Sequence, residues 1–329
     1  MRVEAFSEAK NPAAPEANED ALLILPGRAY AAIDGVSDRT GIRYDGMLAG
    51  RYASRLVQQR LEAALGGPAP SPETIVADLT AAIDAAYGKF GTRESVRTDW
   101  GGKIACTLAL VVLDADNARI LLIGDSGIRI NGTTVMQQNK DLDLITALLR
   151  REAWRAVASR TDDTETRERL SRLMAFHGAA QDAAGFAPLL DAADLAAIGA
   201  AAMAACIAAL PHLPHDAIAA LIANGIVGGQ GIHQNNPASP LGYSCLDGFP
   251  IPPRFIRQET LKRDDVHTIE LFTDGYFRPG DGFGVDAWEA TFRAVEREDP
   301  AKVERYLSPR GSAGGLWADD RAYLGITGV

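Results

Sequence analysis

The sequence predicts a layered α+β fold in place of a doubly wound parallel sheet. Three observations point that way. Apolar, β-rich stretches occur in pairs joined by short turns. Helical segments gather in pairs between the strand groups. Strands and helices do not alternate one for one along the 329 residues. Antiparallel hairpins with helices set apart suit packed sheets with helices outside, an arrangement that buries both faces of each sheet.

The first strand pair is Ala21 to Leu25 and Ala29 to Ile33, split by Pro26-Gly27-Arg28 in a hairpin pattern. A helix follows from Gly46 to Leu65, with Leu48, Tyr52, Leu56 and Leu61 as its apolar face and Gly66-Gly67-Pro68 as its stop. Ser71 can cap the next helix and Pro72 suits its first turn. Ile75, Leu79, Ile83 and Tyr87 give that helix its buried face. Ile104 to Leu113 and Ala118 to Ile123 form the second strand pair, turned by Asp114-Ala115-Asp116-Asn117. Val266 to Phe272 and Arg321 to Ile326 read as later strands, with a helix pair at Val285 to Arg297 and Pro300 to Leu307 between them.

Residues 141–253 differ in character. They are rich in Ala and Arg at first, then loop-like. Leu142 to Ser159, Thr164 to Phe176 and Asp191 to Leu210 read as helices, followed by Gly228-Gly229-Gln230-Gly231 and Asn235-Asn236-Pro237. Long irregular segments often serve as lids. The expectation is one domain over residues 1–329, with residues 141–253 inserted as a helical and loop-like flap that caps the site. The uncharged run Leu195 to Leu210 falls short of the ~20 residues a bilayer span needs. It is expected to be a buried or half-buried helix, with no membrane partner.

Hydrophobic residues make up 47% and charged residues 23%. A chain of this length buries enough apolar surface to fold without staples. Its three cysteines, Cys106, Cys206 and Cys245, show neither a metal-ligand nor a disulfide spacing. A reducing cytoplasm is the implied compartment, and the start Met1-Arg2-Val3-Glu4-Ala5-Phe6 lacks the apolar core of a signal peptide. Net charge is −10 with no basic stripe, so nucleic acid is not an expected partner.

The chemistry lies in five acidic motifs, each at the end of a strand or beside one: Asn18-Glu19-Asp20, Asp34-Gly35, Gly124-Asp125-Ser126, Asp274-Gly275 and Asp319-Asp320. A single Asp-Gly is an ordinary turn pair, and Asp45-Gly46, Asp247-Gly248 and Asp281-Gly282 show how common it is here. The combination means more. Carboxylates gathered in one place are unfavourable unless a cation neutralises them. An oxygen-only donor set favours Mg²⁺ or Mn²⁺ over zinc, and a glycine lets its carbonyl approach closely.

In this order the motifs resemble those of the PPM family, the metal-dependent Ser/Thr protein phosphatases of type 2C. The likeness runs from about Asn18 to Ile326. It implies a four-layer αββα sandwich of two antiparallel sheets flanked by helix pairs. It also implies two divalent ions, Mn²⁺ or Mg²⁺, with a third in some members. By resemblance Glu19 is a ligand of the second ion, Asp20 a supporting carboxylate, Asp34 the bridging ligand and Gly35 a carbonyl ligand. Asp274 and Asp319 match ligands of the first ion, and Asp125 the aspartate that serves a third. The implied reaction is hydrolysis of phosphoserine or phosphothreonine in a protein, by water activated between ions that share Asp34. No covalent phosphoenzyme is needed, and Cys106 reads as a packed strand residue.

The sequence departs from the family in two places. Many members carry a phosphate-binding arginine shortly before the Glu-Asp pair, whereas Pro12-Ala13-Ala14-Pro15-Glu16-Ala17 has none. Lys10 is the nearest upstream cation, at the wrong spacing and beyond two prolines. Arg39, Arg43 or an arginine of the insert are the substitutes considered. Val36 stands where eukaryotic members often have histidine. The interleaved insert charges, among them Arg150, Arg155, Arg160, Arg167, Asp162 and Glu168, read as a helix face laced with ion pairs or as a lid that recruits phosphoprotein. His233 is a loop residue or a substrate contact. Two other functions stay open: a catalytically weak regulatory or binding module of this fold, and a small-molecule phosphoesterase. The sequence leaves the oligomeric state unknown.

Overall fold

The computed structural model describes residues 1–37 and 40–329. They form two compact units: Met1–Gln138 with Ser244–Arg293 and Asp319–Val329, and Asn139–Tyr243 with Ala294–Ala318.

In chain order the first unit opens with β1 (Arg2–Glu8), β2 (Ala21–Leu25), β3 (Ala29–Gly35), β4 (Arg43–Tyr44) and β5 (Met47–Leu48). Three helices follow, α1 (Ala49–Leu65), α2 (Pro72–Phe90) and α3 (Ser95–Thr98), then β6 (Cys106–Leu113), β7 (Asn117–Ile123), β8 (Gly127–Ile130) and β9 (Thr134–Met136). The second unit holds α4 (Asp141–Ala158), α5 (Thr164–His177), α6 (Ala192–Ala209) and α7 (His215–Gly229). The chain returns to the first unit with β10 (Ile256–Lys262), β11 (Thr268–Phe272), the start of α8 (Val285–Glu298) and, last, β12 (Arg321–Thr327).

Two five-stranded antiparallel sheets build the first unit, ordered β10-β7-β6-β3-β2 and β1-β12-β11-β8-β9. Side chains alternate across a strand, so each strand serves two layers. Tyr30, Ala32, Ala109, Val111, Ile120 and Leu122 point from the first sheet into a core shared with Ile128, Ile269, Leu271, Leu324 and Ile326 of the second. The opposite face of the first sheet, Ala31, Ile33, Leu108, Leu110 and Leu121, packs on Val57, Leu61, Leu79 and Ile83 of α1 and α2. Ser71 caps α2 by accepting from Thr74 N–H, as its sequence position suggests. The layered α+β sandwich is therefore the observed fold.

The outer face of the second sheet is covered by α8 through a polar network. Glu270 is fully buried and takes both Arg129 Nε (2.5 Å) and Arg129 Nη2 (2.7 Å). Trp288 Nε1 and the Tyr323 hydroxyl also donate to it, at 2.7 Å and 2.9 Å. Beside this cluster Arg321 forks onto Glu289 at 2.9 Å and 2.8 Å and reaches Glu8 at 2.7 Å. Every charge here has a partner, the condition under which a buried ion pair is tolerated.

The first unit has more strands than the sequence announced. β1 was not anticipated because it is half exposed and rich in charge, and β8 and β9 are too short to show a period. β10, Ile-Arg-Gln-Glu-Thr-Leu-Lys, is mostly polar because it forms the edge of its sheet.

In the second unit α4 to α7 pack Leu142, Ile145, Leu149, Met174, Ile198, Ile218 and Leu221 into a core of their own. α6 is long and apolar enough to cross a membrane by length and composition, and a stripe of Leu195, Ile198, Ala202 and Cys206 is buried in this core. α7 is not among the helices the sequence announces, because its end is Gly-rich, and its backbone breaks at Gly225 (φ 61). The insertion expected over 141–253 differs in extent from this unit. Residues 244–253 lie with the first unit, where Leu246 and Cys106 exchange backbone hydrogen bonds of 3.0 Å. Residues 294–318 lie with the second.

The helix expected at Pro300 to Leu307 is a series of turns. The Asp299 carboxylate accepts the N–H groups of Val303, Glu304, Arg305 and Tyr306 at 2.9–3.1 Å. A side chain that takes these donors competes with a helix, and Lys302 at φ 54 breaks the path as well. Buried Arg150 pins this segment, donating to the carbonyls of Ala301 (2.7 Å) and Ser308 (3.1 Å) and pairing with Glu168. Arg155, Arg160 and Arg167 also sit in ion pairs, with Glu152, Asp194 and Asp162.

Glu270→Ala leaves the Arg129 guanidinium buried without its carboxylate. It should destabilise the protein by about 3–5 kcal/mol, read as a lower denaturant midpoint by circular dichroism. The double change Arg129→Leu with Glu270→Leu should recover much of that loss.

Candidate metal centre

The acidic motifs converge where strand ends of both sheets meet. Pairing of β3 with β6 sets Asp34 opposite Thr107 and Gly35 opposite Cys106. β7 leads through Gly124 to Asp125, β11 through Thr273 to Asp274, and Asp319-Asp320 precede β12. Carboxylate oxygens of Asp34, Asp125 and Asp274 all lie within 4.8 Å of one another.

Glycines make this approach possible. Gly124 has φ +79, and a Cβ there would stand 2.5 Å from Thr107 Cγ2. Thr107 in turn shares a 2.7 Å hydrogen bond with the buried Ser126 hydroxyl. A Cβ on Gly35 would stand 2.6 Å from the Glu19 carbonyl and would also collide with Gly50 in the first turn of α1. One on Gly275 would collide with the Asp320 carbonyl. The Asp-Gly pairs here are thus close backbone approaches and not simple turns.

Asp20 is 4% exposed. Its Oδ2 accepts from Thr273 Oγ1 at 2.7 Å, and that hydroxyl accepts from Ala322 N–H at 2.8 Å. Asp20 Oδ1 is buried with no hydrogen-bond partner among the described residues. Burial, then the charges of Asp320, Asp319 and Asp274, raises the Asp20 carboxyl well above the usual carboxylate range. Burial, then Asp274, Asp20, Asp319 and Asp125, does the same to Asp34. Asp319 thus adds its charge to the cluster, and its Oδ1 accepts from Asp320 N–H at 2.9 Å.

Glu19 is not one of the three grouped carboxylates. It is 2% exposed, and its Oε2 accepts from Lys10 Nζ at 2.7 Å. The same ammonium donates to Ser37 Oγ at 3.0 Å and lies 3.2 Å from Asp320 Oδ2. Asp320 Oδ1 also takes Lys10 N–H at 2.6 Å. Sequence reasoning names Lys10 only to set it aside and gives Asp320 no role of its own. The sequence spacing of Lys10 looked wrong because its position is set by pairing of β1 with β12, where Glu8 lies opposite Arg321. Of the substitutes considered for the family arginine, Arg39 lies outside the described residues and Arg43 donates to the Gly46 carbonyl at 2.8 Å. Arg51, in the first turn of α1, reaches the Asn18 carbonyl.

Cys106 is fully buried, and burial pushes its thiol well up. His233 is buried in the second unit with Nδ1 2.7 Å from Ser239 Oγ, and burial lowers its pKa.

An all-oxygen donor set, three carboxylates in mutual reach, an unsatisfied buried oxygen and carboxyls held back from ionising describe a site short of positive charge. These residues fit a hard divalent cation.

The family model described as "Protein phosphatase 2C" matches residues 13–308. The chain belongs to the protein phosphatase 2C family. A search of curated proteins finds no match. Among solved structures, the Mycobacterium tuberculosis serine/threonine phosphatase PstP/Ppp is 15% identical with a TM-score of 0.42, covering 98% of this chain and 97% of its own. Serine/threonine phosphatase Stp1 from Staphylococcus aureus is 12% identical with a TM-score of 0.44, covering 99% and 94%. The PstP catalytic domain in complex with two manganese ions is 14% identical with a TM-score of 0.43, covering 98% and 96%.

Two outcomes are expected. Gly275→Ala should shift Asp320 and Asp319, lowering both the melting temperature and Mn²⁺ affinity by calorimetry. The second concerns pH. The unfolded aspartates ionise near ~4, whereas folded Asp20 and Asp34 hold their protons to higher pH. At these two groups the metal-free fold therefore binds more protons than the unfolded chain, and they cost it stability as pH rises through that window. Stabilisation by Mn²⁺ should accordingly grow between pH 5 and pH 7.5, about these values. An Mn²⁺-induced melting shift that is flat or falling over that range would contradict the assigned cause.

Proposed function

We propose that this chain is a metal-dependent protein phosphatase that hydrolyses phosphoserine and phosphothreonine in a phosphorylated protein partner. The observation that carries this reading is the group of Asp34, Asp125 and Asp274, gathered from three strand ends in a member of the protein phosphatase 2C family. Asp34, Asp125 and Asp274 would hold a divalent ion, Mn²⁺ or Mg²⁺, with Asp319 and the Gly35 carbonyl beside them and Glu19 serving a second. Ions bound there would offset charge on the phosphoryl oxygens and make water a better nucleophile near neutral pH.

The chain's own residues prepare the place. Thr273 holds Asp20 through one oxygen, while the other is buried with no hydrogen-bond partner among the described residues. Asp20 would then accept a hydrogen bond from the water that attacks phosphorus and orient it, a task that needs the residue ionised. Thr107 and Ser126 lock the backbone turn that presents Asp125. No cysteine nucleophile takes part, consistent with the burial of all three thiols. Those free thiols also support a cytoplasmic location. The Asn139–Tyr243 segment is proposed as an insertion in a single phosphatase domain, used for choice of protein substrate.

Asp34→Ala and Asp274→Ala should each lower turnover of p-nitrophenyl phosphate and of a phosphothreonine peptide by roughly 100-fold or more. The metal-free melting temperature should hold or rise, because each change removes a repelled carboxylate. Near-parental turnover in either variant would refute the site. Turnover of the small ester alone would make the protein a small-molecule phosphoesterase. Neither turnover nor metal uptake would leave a binding module.

A further inference from the structure

We infer that Lys10 is a resident countercation on the Glu19 side of the metal centre. The chain would then take one divalent ion tightly at Asp34, Asp125 and Asp274, and a second only by displacing the Lys10 ammonium from Glu19. This rests on the metal-centre reading above and adds an order of filling to it.

The geometry is that of a built contact. Among the described residues Lys10 Nζ has three oxygens within 3.2 Å, on Glu19, Ser37 and Asp320, matching the three N–H donors of an ammonium. The backbone is tied down too. Lys10 N–H donates to Asp320 Oδ1 at 2.6 Å, two residues beyond a strand paired along its length with β12. Glu19 has little room to turn away, since its Oε1 lies against Gly50 and a Cβ there would be 2.7 Å from that oxygen. Its N–H is also held by Asp320 Oδ2 at 3.3 Å.

The electrostatic consequence is direct. A divalent ion that takes Glu19 Oε2 from Lys10 brings a double positive charge within a few Å of a fixed unit charge. Coulomb repulsion at that separation in a partly buried site weakens binding many-fold. The ammonium also neutralises part of the carboxylate charge, which lessens the demand for a second ion. At the three-carboxylate group, by contrast, three negative side chains with oxygens within 4.8 Å of one another leave a deficit of positive charge.

Mn²⁺ titrations of the full chain test this, with heats read by calorimetry and bound ions counted by electron paramagnetic resonance. The parent should bind one ion tightly and a second weakly. Lys10→Gln should tighten the second by at least about ten-fold and leave the first nearly unchanged, while Lys10→Arg should behave like the parent. The melting temperature of metal-free Lys10→Gln should fall, and its gain on Mn²⁺ addition should exceed the parent's. Equal affinities for both ions in the parent, or no tightening in Lys10→Gln, overturns the inference while leaving the metal centre standing. Absence of any ion in the parent overturns both. In the unaltered protein, modification of Lys10 by an amine reagent, followed by mass spectrometry, should rise only at Mn²⁺ concentrations that fill the second site. Labelling that ignores Mn²⁺ overturns the displacement even if Lys10→Gln fails to fold.

Discussion

Repulsion among buried and half-buried carboxylates at one end of two packed sheets is the constraint that the rest of this molecule answers to. Asp20, Asp34, Asp125, Asp274 and Asp319 would move apart if they could. They do not, because each is anchored at a strand end or turn whose position is set by pairing far from the cluster. The sheet ladders and the apolar layer between Tyr30, Val111, Leu271 and Leu324 hold them in place. Glycines 35, 124 and 275 remove the side chains that would otherwise wedge the strand ends apart. Folding energy gained elsewhere is thus stored as a local excess of negative charge, a common arrangement at functional sites.

The same sheet shows the opposite solution on its outer face. Glu270 is as deeply buried as any carboxylate in the protein, yet Arg129, Trp288 and Tyr323 satisfy it, and Glu289 is matched by Arg321 and Tyr276. Matched buried charges rigidify α8 on its sheet and call for nothing further. Unmatched ones invite a cation. Arg321 and its neighbour Asp320 mark the division between these regimes within two residues: one faces the satisfied network and the other meets Lys10 and Glu19.

Much of the architecture was legible in the chain. The hairpins around Pro26-Gly27-Arg28 and Asp114 to Asn117, the capped helix after Ser71 and the amphipathic α8 follow from local period and capping chemistry. The failures have local causes as well. β1 and β10 lie at sheet edges, where half of the side chains face water and the alternation is blurred. The turns after Asp299 replaced a helix because one carboxylate took its N–H donors, which no periodicity reports. α7 was hidden by glycines that its packing tolerates.

What the sequence determined by itself was the set of acidic motifs, their order and the hard-oxygen character of the site they imply. Those depend only on which residues stand at strand ends. What the tertiary structure decided was which carboxylates share a cluster and which cation is already among them. Asp34, Asp125 and Asp274 meet, while Glu19 is joined to Lys10, a residue whose place is fixed by β1 lying along β12, more than 300 positions away in the chain. Distances across paired strands have no counterpart in sequence spacing, because the ladder that sets them forms between segments the chain itself keeps far apart.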